Sequence, residues 1–238
     1  MSMPSWLSKI AGGPKPADKK SVAVDSEFSR AIRGLVAERR PRYFLETGTF
    51  LGMGTTQIIG QAILAAGLTD YDFISIEVNP KLYRQAVKNL EGCGFRIDPR
   101  LGLSLPQAML PTDQALAGEI AEHRNDGVYI DYAEDKRVEK YQAEVDFRGQ
   151  DDLMGKAIGA WQGRVDFALL DSAGHLGFRE FKYFLTKLRT PCLLALDDTR
   201  HLKHCESLKA AKADSRFKLL VESDEKFGFA IMDVTPGT

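Results

Sequence analysis

The sequence predicts an α/β fold: a doubly wound, mostly parallel sheet with helices on both faces and an antiparallel last strand. Three observations carry that expectation. Short apolar runs alternate with segments of helical periodicity along the 238 residues. The first run, Tyr43-Phe44-Leu45, passes through a loop punctuated by Gly48, Gly52 and Gly54 into a helical pattern. Four runs end in acids: Glu46, Glu77, Asp171 and the Asp197-Asp198 pair.

Taken in order, residues 1 to about 22 are rich in Gly, Pro and Lys and read as a flexible N-terminal arm. Residues 23–238 read as one domain with no linker and no internal repeat. Asp25 or Ser26 caps a helix with Phe28, Ile32, Leu35 and Val36 on one face, and Pro41 ends it before strand one. After the glycine loop, Ile58, Ile59, Ala62, Ile63 and Ala66 mark a helix, with Gly67 at its C′ position. Phe73 to Glu77 is the second strand, and Asn79-Pro80 starts a helix carrying Leu82, Ala86, Val87 and Leu90. Phe95 to Leu103 is a weaker strand that Pro99 places toward an edge. A helix covers Pro111 to His123.

The rhythm breaks between Asn125 and Gly149. Alternation at Val128, Ile130 and Tyr132, a charged turn, and renewed alternation from Val138 to Phe147 predict an inserted β-hairpin. Such an insert would serve as a lid over a site or as a dimer contact. Val165 to Asp171 is the fourth strand, and Phe178, Phe181, Phe184, Leu185 and Leu188 face inward on the next helix. Pro191 to Asp198 is the fifth strand. Phe217 to Ile231 closes the chain as a hairpin turning at Asp224-Glu225-Lys226.

Composition bounds the function classes. Hydrophobic residues at 44% and charged residues at 27% describe an ordinary globular chain. A net charge of -1 argues against a general nucleic-acid surface. No apolar run approaches the roughly 20 residues needed to span a bilayer. Cys93, Cys192 and Cys205 form neither a CxxC motif nor a disulfide framework, which points to a reducing, cytoplasmic setting.

The chemistry gathers at the strand ends. A strand, a glycine loop and a helix N-terminus offer free N–H groups and a positive dipole end to a ligand. In a parallel sheet, acids ending separate strands converge on one edge, the crevice where open α/β sheets bind ligands. Glu77 suits a ribose diol. Asp171, Asp197 and Asp198 suit a hard divalent cation. The plainer alternative is that each Asp caps the helix after it.

In this arrangement the chain resembles the class I S-adenosylmethionine-dependent methyltransferases, with their Rossmann-like fold. Within them it is similar to the metal-dependent O-methyltransferases of the catechol type and of the macrolide and aminocoumarin sugar type. The resemblance covers roughly Asp25 to Val234. Leu45-Glu46-Thr47-Gly48-Thr49-Phe50-Leu51-Gly52 matches the first motif, and Ile76-Glu77 the acid that holds the ribose. Leu101-Gly102-Leu103-Ser104 is similar to the stretch along the adenine; Leu170-Asp171 and Leu196-Asp197-Asp198 match the metal-binding acids.

The resemblance implies a methyl transfer from S-adenosylmethionine to a hydroxyl of a small molecule, a sugar or a phenol, with Mg2+ or another divalent cation at Asp171, Asp197 and Asp198. It implies cofactor contacts at Glu46, Gly48, Thr49, Phe50, Gly52, Gly54, Thr55, Glu77 and Ser104. A homodimer is a further option, since related folds commonly dimerise.

The chain departs from these families after Asp171. The catechol type carries a general-base lysine three residues on, where this chain has Gly174; the sugar type carries an aspartate two residues on, where it has Ala173. His175 is the nearest replacement base, with Asp171 beside it; the alternative is a helix-start histidine bonded to backbone. His201 and His204, next to Arg200 and Lys203, are expected at the surface. A metal-independent methyltransferase and a non-catalytic protein of the same fold are the alternatives. A nicotinamide or flavin dehydrogenase needs a tighter G-x-G-x-x-G spacing.

Overall fold

The computed structural model describes residues 25–145, 147 and 149–237. The expected N-terminal arm, residues 1 to 22, lies outside the described residues. Helix α1 (Glu27–Arg39) precedes β1 (Tyr43–Thr47) and α2 (Thr55–Ala65); β2 (Asp72–Glu77), α3 (Pro80–Leu90) and β3 (Asp98–Leu101) follow. Then come α4 (Asp113–Glu122), α5 (Arg137–Glu144), α6 (Leu153–Ala160), β4 (Phe167–Leu170), α7 (Gly177–Lys187), β5 (Cys192–Asp197), α8 (Cys205–Lys212), β6 (Phe217–Ser223) and β7 (Phe229–Val234).

The seven strands form one sheet in the order β3-β2-β1-β4-β5-β7-β6. The first five run parallel, and β7 enters antiparallel between β5 and β6. The strand order reverses at β1 and β4, which makes the carboxyl ends of these strands the crevice of the fold. Thr47 pairs with both Ile76 and Leu170, and Leu170 with Leu196. That register brings the acids that follow these residues to one level.

Each face of the sheet carries its own core because successive strand residues point to opposite sides. Phe44 packs with Ile32, Ile58 and Phe73 under α1 and α2, whereas its neighbour Leu45 packs with Met154, Ile158 and Phe181 under α6 and α7. Strands buried on both faces read as unbroken apolar runs, and Leu193 to Leu196 is one.

Local chemistry sets the helix ends much as expected. The Ser26 hydroxyl accepts from Ser29 N at 3.0 Å. Asn79 Oδ1 accepts from Lys81 N and Leu82 N ahead of α3, with Pro80 in its first turn. Gly67 takes φ +61 just after α2.

The insert is a correction. In place of a β-hairpin, a short 3-10 turn (Glu134–Lys136) runs into the α-helix Arg137–Glu144. Val138, Tyr141 and Val145 recur at helical spacing among good helix formers, and buried Tyr141 packs on Leu116, Ile120 and Leu202. The strand-like part reduces to one isolated bridge between Tyr129 and His201. Helices α6 and α8 are additions; both are short, and α6 carries Gly155 and Gly159, which weaken a helical signal. Among the described residues no helix is long and apolar enough to cross a membrane.

Candidate active site

The glycine loop is shaped by its backbone and by an acid behind it. Gly48 has φ +86 and Gly52 φ +67, in the left-handed region. A Cβ on Gly48 would lie 2.0 Å from the carbonyl oxygen of Asp171, so the loop rests directly on the end of β4. Gly52 turns the other way, toward Leu90 of α3, and does not line the cleft.

Glu46, expected at the cofactor, is also outside the cleft. It is fully buried, and Thr55 Oγ1 donates to its Oε1 at 2.6 Å, while Thr56 Oγ1 and Ser75 Oγ donate to its Oε2 at 2.7 and 2.6 Å. These bonds clamp the loop and the start of α2 onto the sheet. Burial outweighs the three hydroxyls and raises its pKa to about 7.

Glu77 does face the cleft. Phe50 N donates to its Oε2 at 2.7 Å and Asn79 N to its Oε1 at 2.8 Å, which fixes the carboxylate against the loop. Burial raises it too, to about 7. Gly48, Thr49, Phe50, Gly54, Thr55 and Ser104 line the same cleft, of about 590 Å³. The hydroxyls of Ser104 and Thr47 both donate to Glu180, a fully buried acid of α7 that the sequence reading passed over.

At the far edge, Asp171, Asp197 and Asp198 converge, one oxygen from each lying within 4.8 Å of the others. This donor chemistry suits a divalent cation. The geometry already contains a cation, however. Lys203 Nζ lies 2.5 Å from Asp171 Oδ1 and 2.9 Å from Asp198 Oδ2, with its side chain 10% exposed. A divalent ion bound through Asp171 Oδ1 or Asp198 Oδ2 would have to displace this ammonium.

The charges respond to one another. Burial raises Asp171, and the neighbouring Asp198 adds to that despite Lys203. Burial, with Asp171 and Asp198, lifts Asp197 well above the carboxylate range. Burial also pushes Asp198 upward, but Lys203 overrides it and holds that group below its usual value. Burial pulls Lys203 down, yet the three carboxylates outweigh it and raise the ammonium well above its ordinary value.

The histidines fall differently from expectation. His175 is buried outside the cleft, and neither ring nitrogen has a hydrogen-bond partner among the described residues. Burial and the nearby Arg179 lower it to about 4. His201 and His204, expected at the surface, are 3% and 0% exposed.

His201 lines the cleft: its Nδ1 accepts from Lys203 N at 3.0 Å, so its Nε2 carries the proton toward Asp131 Oδ2 at 2.8 Å. Tyr129 N and O bond Arg200 O and Leu202 N, which pins the insert to this segment. Tyr129, Asp131, Tyr132 and Glu144 thereby form a wall of the cleft.

Lys203 is the residue at the acidic edge that the sequence reading left out of the site. The signal that finds it is electrostatic: three convergent acids require a counter-cation, and Lys203 follows Asp198 by five residues.

No family model matches the chain, and no curated protein matches it in sequence. Solved structures do match in shape. The O-methyltransferase TomG from Streptomyces achromogenes, in complex with S-adenosylmethionine, is 15% identical with a TM-score of 0.54, over 99% of this chain and 92% of that one. An O-methyltransferase from Bacillus cereus, in complex with S-adenosylhomocysteine, is 16% identical with a TM-score of 0.54 over the same shares, 99% and 92%. The fold is that of the class I methyltransferases. In the methyltransferase fold of this chain, the cleft holding Glu77 opens along the carboxyl edge of the sheet.

Proposed function

We propose that this protein is an S-adenosylmethionine-dependent O-methyltransferase that moves a methyl group to a hydroxyl of a small molecule. The observation that carries this is Glu77, held by the N–H groups of Phe50 and Asn79 at the cleft wall beside the glycine loop. That carboxylate is built to take a diol such as the ribose of the cofactor, with the Gly48–Gly54 loop beneath the rest of it.

The acceptor enters between the cofactor and the acidic edge, walled by Tyr129, Tyr132 and Phe227, which suit a ring-shaped sugar or phenol. The acceptor oxygen forms the new bond to the methyl carbon while the carbon–sulfur bond breaks and its electron pair stays on sulfur. The hydroxyl proton passes to Asp171, which lines the cleft and whose proton affinity burial raises. Positioning and a preorganised charged edge supply most of the rate.

The test is transfer of tritium from methyl-labelled S-adenosylmethionine to a panel of sugars and phenols, with wild type and Asp171→Asn. Label in an ether product, reduced at least a hundredfold in the variant, supports this function. Cofactor binding with no transfer to any acceptor favours a non-catalytic role for the fold.

A further inference from the structure

We infer that Lys203 is the resident cation of this site, doing with a fixed ammonium what a divalent metal does between the same three carboxylates. The inference rests on the proposed transfer site and deepens it.

Three independent features build the ammonium in. Its Nζ contacts Asp171 and Asp198, the acids that end two different strands. Its own backbone is fixed, because Lys203 N donates to His201 Nδ1 and His201 is held in turn by Asp131. Its stem has a shaped cradle: a Cβ on Gly177 would come 2.2 Å from Lys203 O and 2.7 Å from its Cγ. Asp198 meanwhile adopts φ +58, a left-handed conformation that aims its carboxylate at the ammonium.

The position three residues after Asp171 is Gly174, and a side chain there would strike Tyr141 at 2.7 Å and His201 at 3.0 Å. A lysine therefore reaches this edge from the β5 side, and Lys203 does so.

An ammonium carries three hydrogens. Two go to Asp171 and Asp198, and the third is left for an acceptor oxygen, since Lys203 lines the cleft. That bond stabilises the charge the oxygen exposes as its proton moves to Asp171. Lys203 holds its own proton throughout, so the methyl transfer needs no further reactant.

The experiment uses the full chain stripped of metal and titrated with Mn2+, read by the electron paramagnetic resonance of the free ion. Wild type, Lys203→Arg and Lys203→Met are compared, the last keeping an apolar stem so that the fold persists. Wild type and Lys203→Arg should leave Mn2+ free, and Lys203→Met should bind one ion per chain at least tenfold more tightly. Tight Mn2+ binding by wild type, or by none of the three, overturns the inference. A parallel titration with S-adenosylmethionine separates the two claims: no binding there, with the Mn2+ pattern intact, removes the proposed function and leaves the resident cation standing.

Discussion

Glu46 and Glu77 end adjacent strands, yet they do opposite work because of what surrounds them. Glu46 receives three hydroxyls and closes the loop from behind; Glu77 receives two backbone amides and faces the cleft. Both acids lie within their strands; Glu46 pairs with Ser75, two residues before Glu77, so Glu77 stands further toward the carboxyl edge and the cleft. The raised pKa of Glu46, about 7 against 4.5, has a definite sign in stability. The folded state takes up the proton more readily than the unfolded chain. Its contribution is therefore complete below pH 4.5 and is lost as pH rises through about 7. Thermal melts of wild type and Glu46→Gln should show the wild-type advantage shrinking across that window. A difference independent of pH would show that Glu46 does not titrate there.

At the scale of the element, the glycine loop is the most constrained piece of backbone in the site. Gly48 combines φ +86 with contact against the Asp171 carbonyl, so Gly48→Ala imposes both strain and a clash. The variant should lose about 3 kcal/mol in urea unfolding and bind S-adenosylmethionine more weakly. An unchanged urea midpoint would mean that β4 moves aside freely. The loop was legible in the sequence because glycines at a strand-to-helix junction leave few other readings. The insert was not: Val138, Tyr141 and Val145 fit helical spacing, but the apolar residues on either side also satisfy a period of two over so short a stretch. Helices α6 and α8 escaped notice for a related reason, since eight residues hold barely two turns.

Across the whole molecule, the sheet was legible because burial on both faces turns its central strands into continuous apolar runs, each ending in an acid. The closing antiparallel pair was likewise visible as two alternating runs around Asp224-Glu225-Lys226. What sequence could not place was the partner of the acids. Lys203, Arg200, His201 and His204 look solvated by composition, and only the return of the chain over β4 and β5 buries the histidines and the lysine. The convergence of Glu77, the glycine loop and the charged edge in one cleft makes cofactor binding the property on which the rest depends. The deciding measurement is calorimetric titration of S-adenosylmethionine into wild type and Glu77→Ala, both in EDTA. Micromolar binding to wild type, weakened roughly thirtyfold or more in the variant, is the expected result, since a hydrogen-bonded charge of this kind contributes about 2 kcal/mol. No binding to wild type, or equal binding to both, would contradict the assignment of the cleft.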